Sequence, residues 1–212
     1  MSGEYDLSVA VLAGGQSRRM GQDKALMEVG GRALIEHVLE AANPFATETI
    51  IVASERPEYE RFGTRVIPDK FPRSGSLGGI YTALSESTTQ YCLVLACDMP
   101  LVNPDLLRYM ASLERDYDAL VPSLPPDRAD QGEGETLETL HAIYSRNCLP
   151  AIERQLNAGV FKIIGFFSEV RVKKLSEDVI REFDPQLLSF FNANTPEEFD
   201  WARSRLVDGT PR

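Results

Sequence analysis

Compact apolar runs alternate with helix-spaced stretches along the first half of the chain. Residues 8–13, 49–53 and 91–96 are short, β-branched or aliphatic, and bounded by polar residues or glycine, the pattern of strands buried on both faces. Residues 65–67 and 119–121 read as shorter strands of the same kind. Between them, residues 33–42 carry helical spacing and stop before Asn43-Pro44, residues 58–62 form a short helix, and residues 77–87 form a helix despite Gly78-Gly79. Asn103 caps a further helix with Pro104 at its first position, running to about Leu113.

The second half is less regular. Residues 123–135 are rich in Pro, Asp and Gly and read as a mobile excursion, placed to lie over a site. A strand at 139–144, a helix at 149–158, a late strand at 170–173 and a final helix at 196–206 follow. Residues 161–167 are apolar and serve as core or as a contact surface. Strand–helix alternation over the first part predicts an α/β fold, a mostly parallel sheet with helices on both faces. In such sheets ligands bind beyond the carboxyl ends of the strands. Three unusual loops, at 14–24, 69–79 and 98–100, each follow a strand and so gather at one edge. No internal repeat or composition break divides the chain, so residues 1–212 are expected to form one domain, with the loop-bearing half at 5–122 and a second half at 136–207.

Composition narrows the ligands. The 212 residues are 43% hydrophobic and 25% charged, with a net charge of −10. A nucleic-acid binder needs a basic face, so DNA and RNA are not expected partners. No apolar run approaches the roughly 20 residues that span a bilayer, and the polar, acidic start Met1-Ser2-Gly3-Glu4 does not resemble a signal peptide. A cytoplasmic location is the expectation. Cys92, Cys97 and Cys148 lack metal-ligand spacing, and Cys92 and Cys97 flank an apolar strand as small core residues.

The chemistry concentrates in Leu12-Ala13-Gly14-Gly15-Gln16-Ser17-Arg18-Arg19-Met20-Gly21-Gln22-Asp23-Lys24. Glycines let backbone N–H groups approach a ligand, and Arg18, Arg19 and Lys24 supply positive charge, which together suit a triphosphate. Neither common fingerprint is present: Lys24 is followed by Ala25 rather than Ser or Thr, and Gly-x-Gly-x-x-Gly is absent. Asp98, closing the most apolar strand in Leu95-Ala96-Cys97-Asp98-Met99-Pro100, stands where a carboxylate can hold Mg²⁺, an ion that takes few protein ligands beside phosphates and water. Its alternative role is a helix cap, for which Asn103 is better placed. Asp69 can accept from a base or sugar, and glycines in Gly75-Ser76-Leu77-Gly78-Gly79 permit close approach to backbone amides or tight packing of a helix start on a strand.

These segments, in order, resemble the signature of the molybdenum cofactor guanylyltransferases. The resemblance runs over about residues 8–205 and is carried by Leu12-Ala13-Gly14-Gly15, Arg19-Met20-Gly21, Asp23-Lys24, Gly75-Ser76-Leu77-Gly78-Gly79, Cys97-Asp98-Met99-Pro100, Leu140-His141-Ala142-Ile143-Tyr144 and Asn192-Ala193-Asn194-Thr195-Pro196-Glu197. It implies a three-layer Rossmann-like nucleotidyltransferase fold, GTP as donor, the phosphate of molybdenum-bearing molybdopterin as acceptor, Mg²⁺, and passing contact with molybdenum cofactor enzymes or insertion factors. By position it implies Leu12, Ala13, Gly14, Lys24, Asp69 and Asp98 at the nucleotide, with Asp98 also on the metal. Gly15 and Gly78 are read into the same nucleotide site, and Arg19 and Lys24 are assigned to the phosphates and the leaving pyrophosphate, which makes Arg19, Lys24 and Asp98 the expected catalytic residues. The chain departs from the family pattern at Ala53, where Asn is frequent, at Ser76, where Pro is usual, and at Thr139, where Pro is frequent.

On the acceptor side the candidates are His141, Asn192 and Asn194. His141 can line that site or be a strand residue satisfied by a neighbour, and the asparagines can bind the pterin or serve turn and cap chemistry before Pro196. His37, in the first helix, reads as structural, and Lys173-Lys174 as a solvated strand end. Competing readings are a cytidylyltransferase on the same pterin, a sugar-phosphate nucleotidyltransferase sharing the loop, and a non-catalytic nucleotide-binding module. The presence of both Lys24 and Asp98 speaks against the last.

Overall fold

The computed structural model describes residues 5–14, 23–53, 57–125 and 135–207. Its centre is β1 (Ser8–Leu12), in which Val9, Ala10 and Val11 have no exposed surface. A strand with apolar residues on both sides must be covered on both faces, as the full burial of these three residues shows, and at its edges β1 pairs in parallel with β4 (Glu48–Val52) on one side and β6 (Tyr91–Ala96) on the other. A small hairpin, β2 (Glu28–Val29) and β3 (Arg32–Ala33), precedes α1 (Leu34–Ala42). Its turn residues Gly30 and Gly31 have φ of 62° and 80°, the left-handed pair that a type I′ turn needs. β5 (Arg65–Ile67) extends the sheet beyond β4, and α2 (Gly75–Glu86) crosses back to β6.

After α3 (Pro104–Ser112) come β7 (Ala119–Leu124), β8 (Thr136–Leu137) and β9 (His141–Ser145). Then follow α4 (Leu149–Asn157), β10 (Val172–Ser176), α5 (Glu177–Phe183) and α6 (Pro196–Val207). Among the described residues the main sheet runs β10-β7-β9-β6-β1-β4-β5, with β8 attached to β7. It is mostly parallel, as expected; the exceptions are β9, antiparallel to β6 and β7, and β8, antiparallel to β7. One apolar layer packs the sheet against α1, α3 and α5, through Ile35, Val38, Leu106, Met110 and Ile180. A second packs the other face against α2 and α4, through Leu77, Ile80, Leu84, Ile152 and Leu156.

Several boundaries moved. The Pro-, Asp- and Gly-rich segment begins later than expected, because Ser123 and Leu124 continue β7 and pair with Leu137 and Thr136. The rest of that expectation, residues 126–134, lies outside the described residues. The late strand is shifted to Val172–Ser176 by its pairing with β7. Residues 161–167 divide: Phe166 is fully buried, whereas Phe161 and Ile164 are exposed. No described helix is long and apolar enough to cross a membrane.

Candidate active site

The register of the central strands decides what meets at the carboxyl edge. Leu12 is opposite Val52 of β4 and Ala96 of β6, so the chain leaves all three strands at one level. The ladder continues one step further, with Ala13 N donating to Val52 O at 2.9 Å, Cys97 N to Leu12 O at 3.2 Å and Ala53 N to Ile67 O at 3.0 Å. The chain passes from β1 to β4 on one side and later reaches β6 on the other. The gap beyond β1 and β6 is therefore the switch point of the sheet, where α/β folds bind ligands. A cleft of about 510 Å³ opens there, lined by Leu12, Ala13, Gly14, Lys24, Asp69, Arg73, Gly79, Asp98 and Asn192, among others.

Lys24 carries the geometry of the cleft. Its ammonium donates to Asp98 Oδ2 at 2.6 Å and to Asn194 Oδ1 at 2.5 Å. The side chains of Lys24 and Asp98 are only 13% and 22% exposed, so this pair is shielded more than a surface ion pair. The other carboxylate oxygen of Asp98 accepts no hydrogen bond among the described residues. The segment that brings Asn194 is fastened by its backbone, with Ala193 N donating to Asp98 O at 3.0 Å. Cap and site chemistry share the motif. Thr195 Oγ1 accepts from Glu198 N at 3.2 Å, and Glu198 Oε2 accepts from Thr195 N at 2.9 Å, a capping box that starts α6. The side-chain oxygen of Asn194 is thus left for Lys24, and Asn192 lines the cleft.

On the opposite wall, Asp69 Oδ1 accepts from Phe71 N and from Thr82 Oγ1, each at 2.9 Å, which folds the loop after β5 onto α2. Gly78 is demanded by that packing: a Cβ there would lie 2.7 Å from Phe71 O and 3.2 Å from Asp69 Oδ2. It is buried and stands behind the cleft wall, which Gly79 lines, and a Cβ on Gly79 would come within 3.0 Å of the Leu12 side chain. Ala53 is buried and hydrogen-bonds to β5 through its backbone. Cys97 also lines the cleft, but burial, reinforced by the charge of Asp98, pushes its thiol well above the usual range, so it offers no thiolate.

His141 is placed in the core. It has no exposed surface, its ring packs 4.8 Å from that of Phe190, and burial lowers its pKa to about 4 against the opposing pull of Asp184 and the Ser189 backbone. Its neighbour Leu140 lines the cleft instead. Neither ring nitrogen has a partner at full hydrogen-bond geometry among the described residues, the Ser189 backbone being the polar group that acts on the ring. His37 is structural, Nε2 meeting Val29 O at 2.9 Å. Gly15, Arg18 and Arg19 lie outside the described residues.

One cleft residue that the sequence did not single out is Arg73. It is exposed, it has no carboxylate partner among the described residues, and its φ of 77° is a conformation that side chains other than glycine rarely take.

This cleft and its motif order belong to a known group. Residues 9–172 match the model of the MobA-like NTP transferase domain. The chain is a member of the molybdenum cofactor guanylyltransferase family. A protein of Pelotomaculum thermopropionicum named as a probable molybdenum cofactor guanylyltransferase is 42% identical over 193 residues, covering 91% of this chain and 90% of the relative. A molybdenum cofactor guanylyltransferase of Desulfosudis oleivorans is 33% identical, covering 94% and 95%. Among solved structures, molybdopterin-guanine dinucleotide biosynthesis protein A from Archaeoglobus fulgidus superimposes with a TM-score of 0.78 at 32% identity, covering 95% of this chain and 99% of that one. Like those family members, the chain is a nucleotidyltransferase acting in molybdenum cofactor biosynthesis.

Proposed function

We propose that the protein transfers GMP from GTP to the phosphate of molybdenum-bearing molybdopterin, forming the guanine dinucleotide cofactor and releasing pyrophosphate. The observation that carries this reading is the Lys24 ammonium held between Asp98 and Asn194 at the switch point of the sheet. One residue there contacts both the carboxylate suited to a metal and the segment assigned to the acceptor.

The residues fit Mg²⁺. Asp98 has an oxygen without a hydrogen bond and lines the cleft, and among the described residues no cluster of three or more His, Cys, Asp or Glu is built to enclose a metal. That sparse donor set suits Mg²⁺, which keeps phosphate oxygens and water as most of its ligands. Asp98 would hold it, and the bound ion would supply Lewis-acid charge at the phosphates. The acceptor phosphate attacks the α-phosphorus in line, and pyrophosphate leaves. A phosphate is already ionised near neutral pH, so no general base is needed, and catalysis is positioning and charge stabilisation. Leu12, Ala13, Gly14 and Gly15 cradle the nucleotide, Asp69 and Gly78 shape the opposite wall, and Lys24 with Arg19 offsets the charge of the triphosphate and the leaving group. Asn192 and Asn194 face the acceptor, and His141 supports that side from the core. The finished cofactor is passed on in a brief encounter with molybdenum enzymes or their insertion factors.

Pyrophosphate release with molybdopterin and each of GTP, CTP, UTP and ATP tests the reading. Release confined to GTP supports it; preference for CTP would replace it with a cytidylyltransferase.

A further inference from the structure

Tyr59 comes from the short 3-10 segment Pro57–Phe62 between β4 and β5, outside every motif considered above. Its side chain has no exposed surface, yet its hydroxyl reaches the loop that the nucleotide reading depends on. The hydroxyl lies 2.9 Å from Asp23 Oδ2 and, in a longer contact, 3.4 Å from Ala13 O. Ala13 is the residue by which the chain enters the glycine-rich loop, and Asp23 is the residue by which it leaves. The Asp23 carboxylate also accepts from Ala25 N at 3.2 Å, capping the tight turn Lys24–Leu26, which Leu26 N and Met27 N close on Asp23 O and Lys24 O. A continuous set of bonds therefore runs from the core hydroxyl, through Asp23 and the turn, to the Lys24 ammonium at Asp98.

We infer that Tyr59 is a positioning residue for the nucleotide site, its hydroxyl fixing the two ends of the glycine-rich loop and so the place where Lys24 presents its charge. The inference rests on the nucleotide reading and goes beyond it by naming what holds Ala13 and Asp23, the two ends of the loop. A buried donor to a carboxylate is among the stronger hydrogen bonds. Fixing the ends of a loop removes conformations that ligand binding would otherwise have to remove. The ring fills the core whether or not the hydroxyl is present, so Tyr59→Phe separates the tether from the packing.

The test has two readouts. In the ligand-free protein, hydrogen exchange at the Ala25, Leu26 and Met27 amides should quicken by about tenfold in Tyr59→Phe. In turnover, KM for the triphosphate should rise about tenfold, with kcat changed by less than about threefold. Asp23→Ala should weaken the nucleotide at least as much, since it also removes the cap on Ala25 N, and adding Tyr59→Phe to it should cost less than about a further twofold, because the Asp23 contact is the shorter of the two the hydroxyl makes. Ile35→Val, a loss in the same apolar layer, should lower Tm and leave KM unchanged. Unchanged exchange, or faster exchange with an unchanged KM, or additive effects of the two substitutions, would overturn the inference. If the wild-type chain binds none of the four triphosphates, the nucleotide reading fails and takes this role with it. Exchange at residues 25–27 would still report whether the tether exists.

Discussion

The Lys24 ammonium and the Asp98 carboxylate, 74 positions apart in the chain, meet at 2.6 Å. Asp98 is brought there by the end of β6 and Lys24 by the tight turn Lys24–Leu26 that follows the glycine-rich loop, so the pair joins that loop to the carboxylate proposed to hold Mg²⁺. Removing one preorganised charge from a phosphoryl-transfer site typically costs about 10²–10³ in rate. Lys24→Ala and Asp98→Asn should each lower kcat by that order while leaving a cooperative thermal transition. Steady-state rates with circular dichroism melts check this, and near-normal turnover in either variant would defeat the mechanism.

Asn194 contacts Lys24 but stands on the far segment, so its loss should divide by substrate. Asn194→Ala should raise KM for the pterin by about tenfold, the worth of one good polar contact, and change nucleotide KM by less than about threefold. Thr195 and Glu198 keep the cap of α6, so the fold should survive. A nucleotide-only defect would assign Asn194 to the other side of the site.

Arg73 predicts opposite signs for stability and binding. At φ 77° its backbone is strained, and glycine relieves such strain, which is of order 1–3 kcal/mol. Arg73→Gly should therefore raise the free energy of unfolding by about 1 kcal/mol and weaken triphosphate binding by removing a cleft cation. Urea titration and isothermal calorimetry on one preparation measure both, and unchanged binding would make Arg73 a bystander.

Gly78 predicts a packing defect that reaches the site. A methyl group 2.7 Å from Phe71 O forces the loop bearing Asp69 away from α2. Gly78→Ala should destabilise the protein by about 1–3 kcal/mol, the usual cost of overpacking, and raise nucleotide KM. A variant with wild-type Tm and KM would show that the loop shifts freely.

His141 gives a pH dependence. Its folded pKa of about 4 lies below the ordinary value of 6.5, so the unfolded chain takes up the proton first. The stabilisation tied to the neutral ring is complete above pH 6.5 and is lost as pH falls toward 4. At about 1.4 kcal/mol per pH unit, the loss approaches 3 kcal/mol. Glu138, whose pKa is raised by burial, works in the opposite direction across part of that range. The comparison is therefore wild type against His141→Gln, which cancels Glu138. Urea unfolding at pH 7 and pH 4.5 should show a smaller acid loss in the variant, and equal losses would remove His141 as the cause.

Much of this was legible along the chain. The strands at 8–12, 48–52 and 91–96 announced themselves because central parallel strands are apolar on both faces. The cap at Asn103-Pro104 is local chemistry and appeared as expected, Asn103 Oδ1 accepting from Asp105 N at 2.8 Å. Strands β8 and β10 were misplaced or missed because their bounds come from pairing with β7, whereas the Gly30-Gly31 hairpin was readable turn chemistry left unused. Residues 161–167 could not be divided into core and surface because one apolar run does not say which side chain turns inward. Only Phe166 does so fully.

By itself the sequence determined the alternation of strands and helices, the glycine-rich loop with its cations, the lone acid after the most buried strand and the order of motifs, since each depends on residue type and near neighbours. Tertiary structure alone decided that Lys24 reaches both Asp98 and Asn194, that Tyr59 ties Ala13 to Asp23, that Arg73 lines the cleft, and that His141 is sealed in the core. Those contacts join residues tens of positions apart, and strand register, which depends on the partner strand as much as on the strand itself, sets their distances.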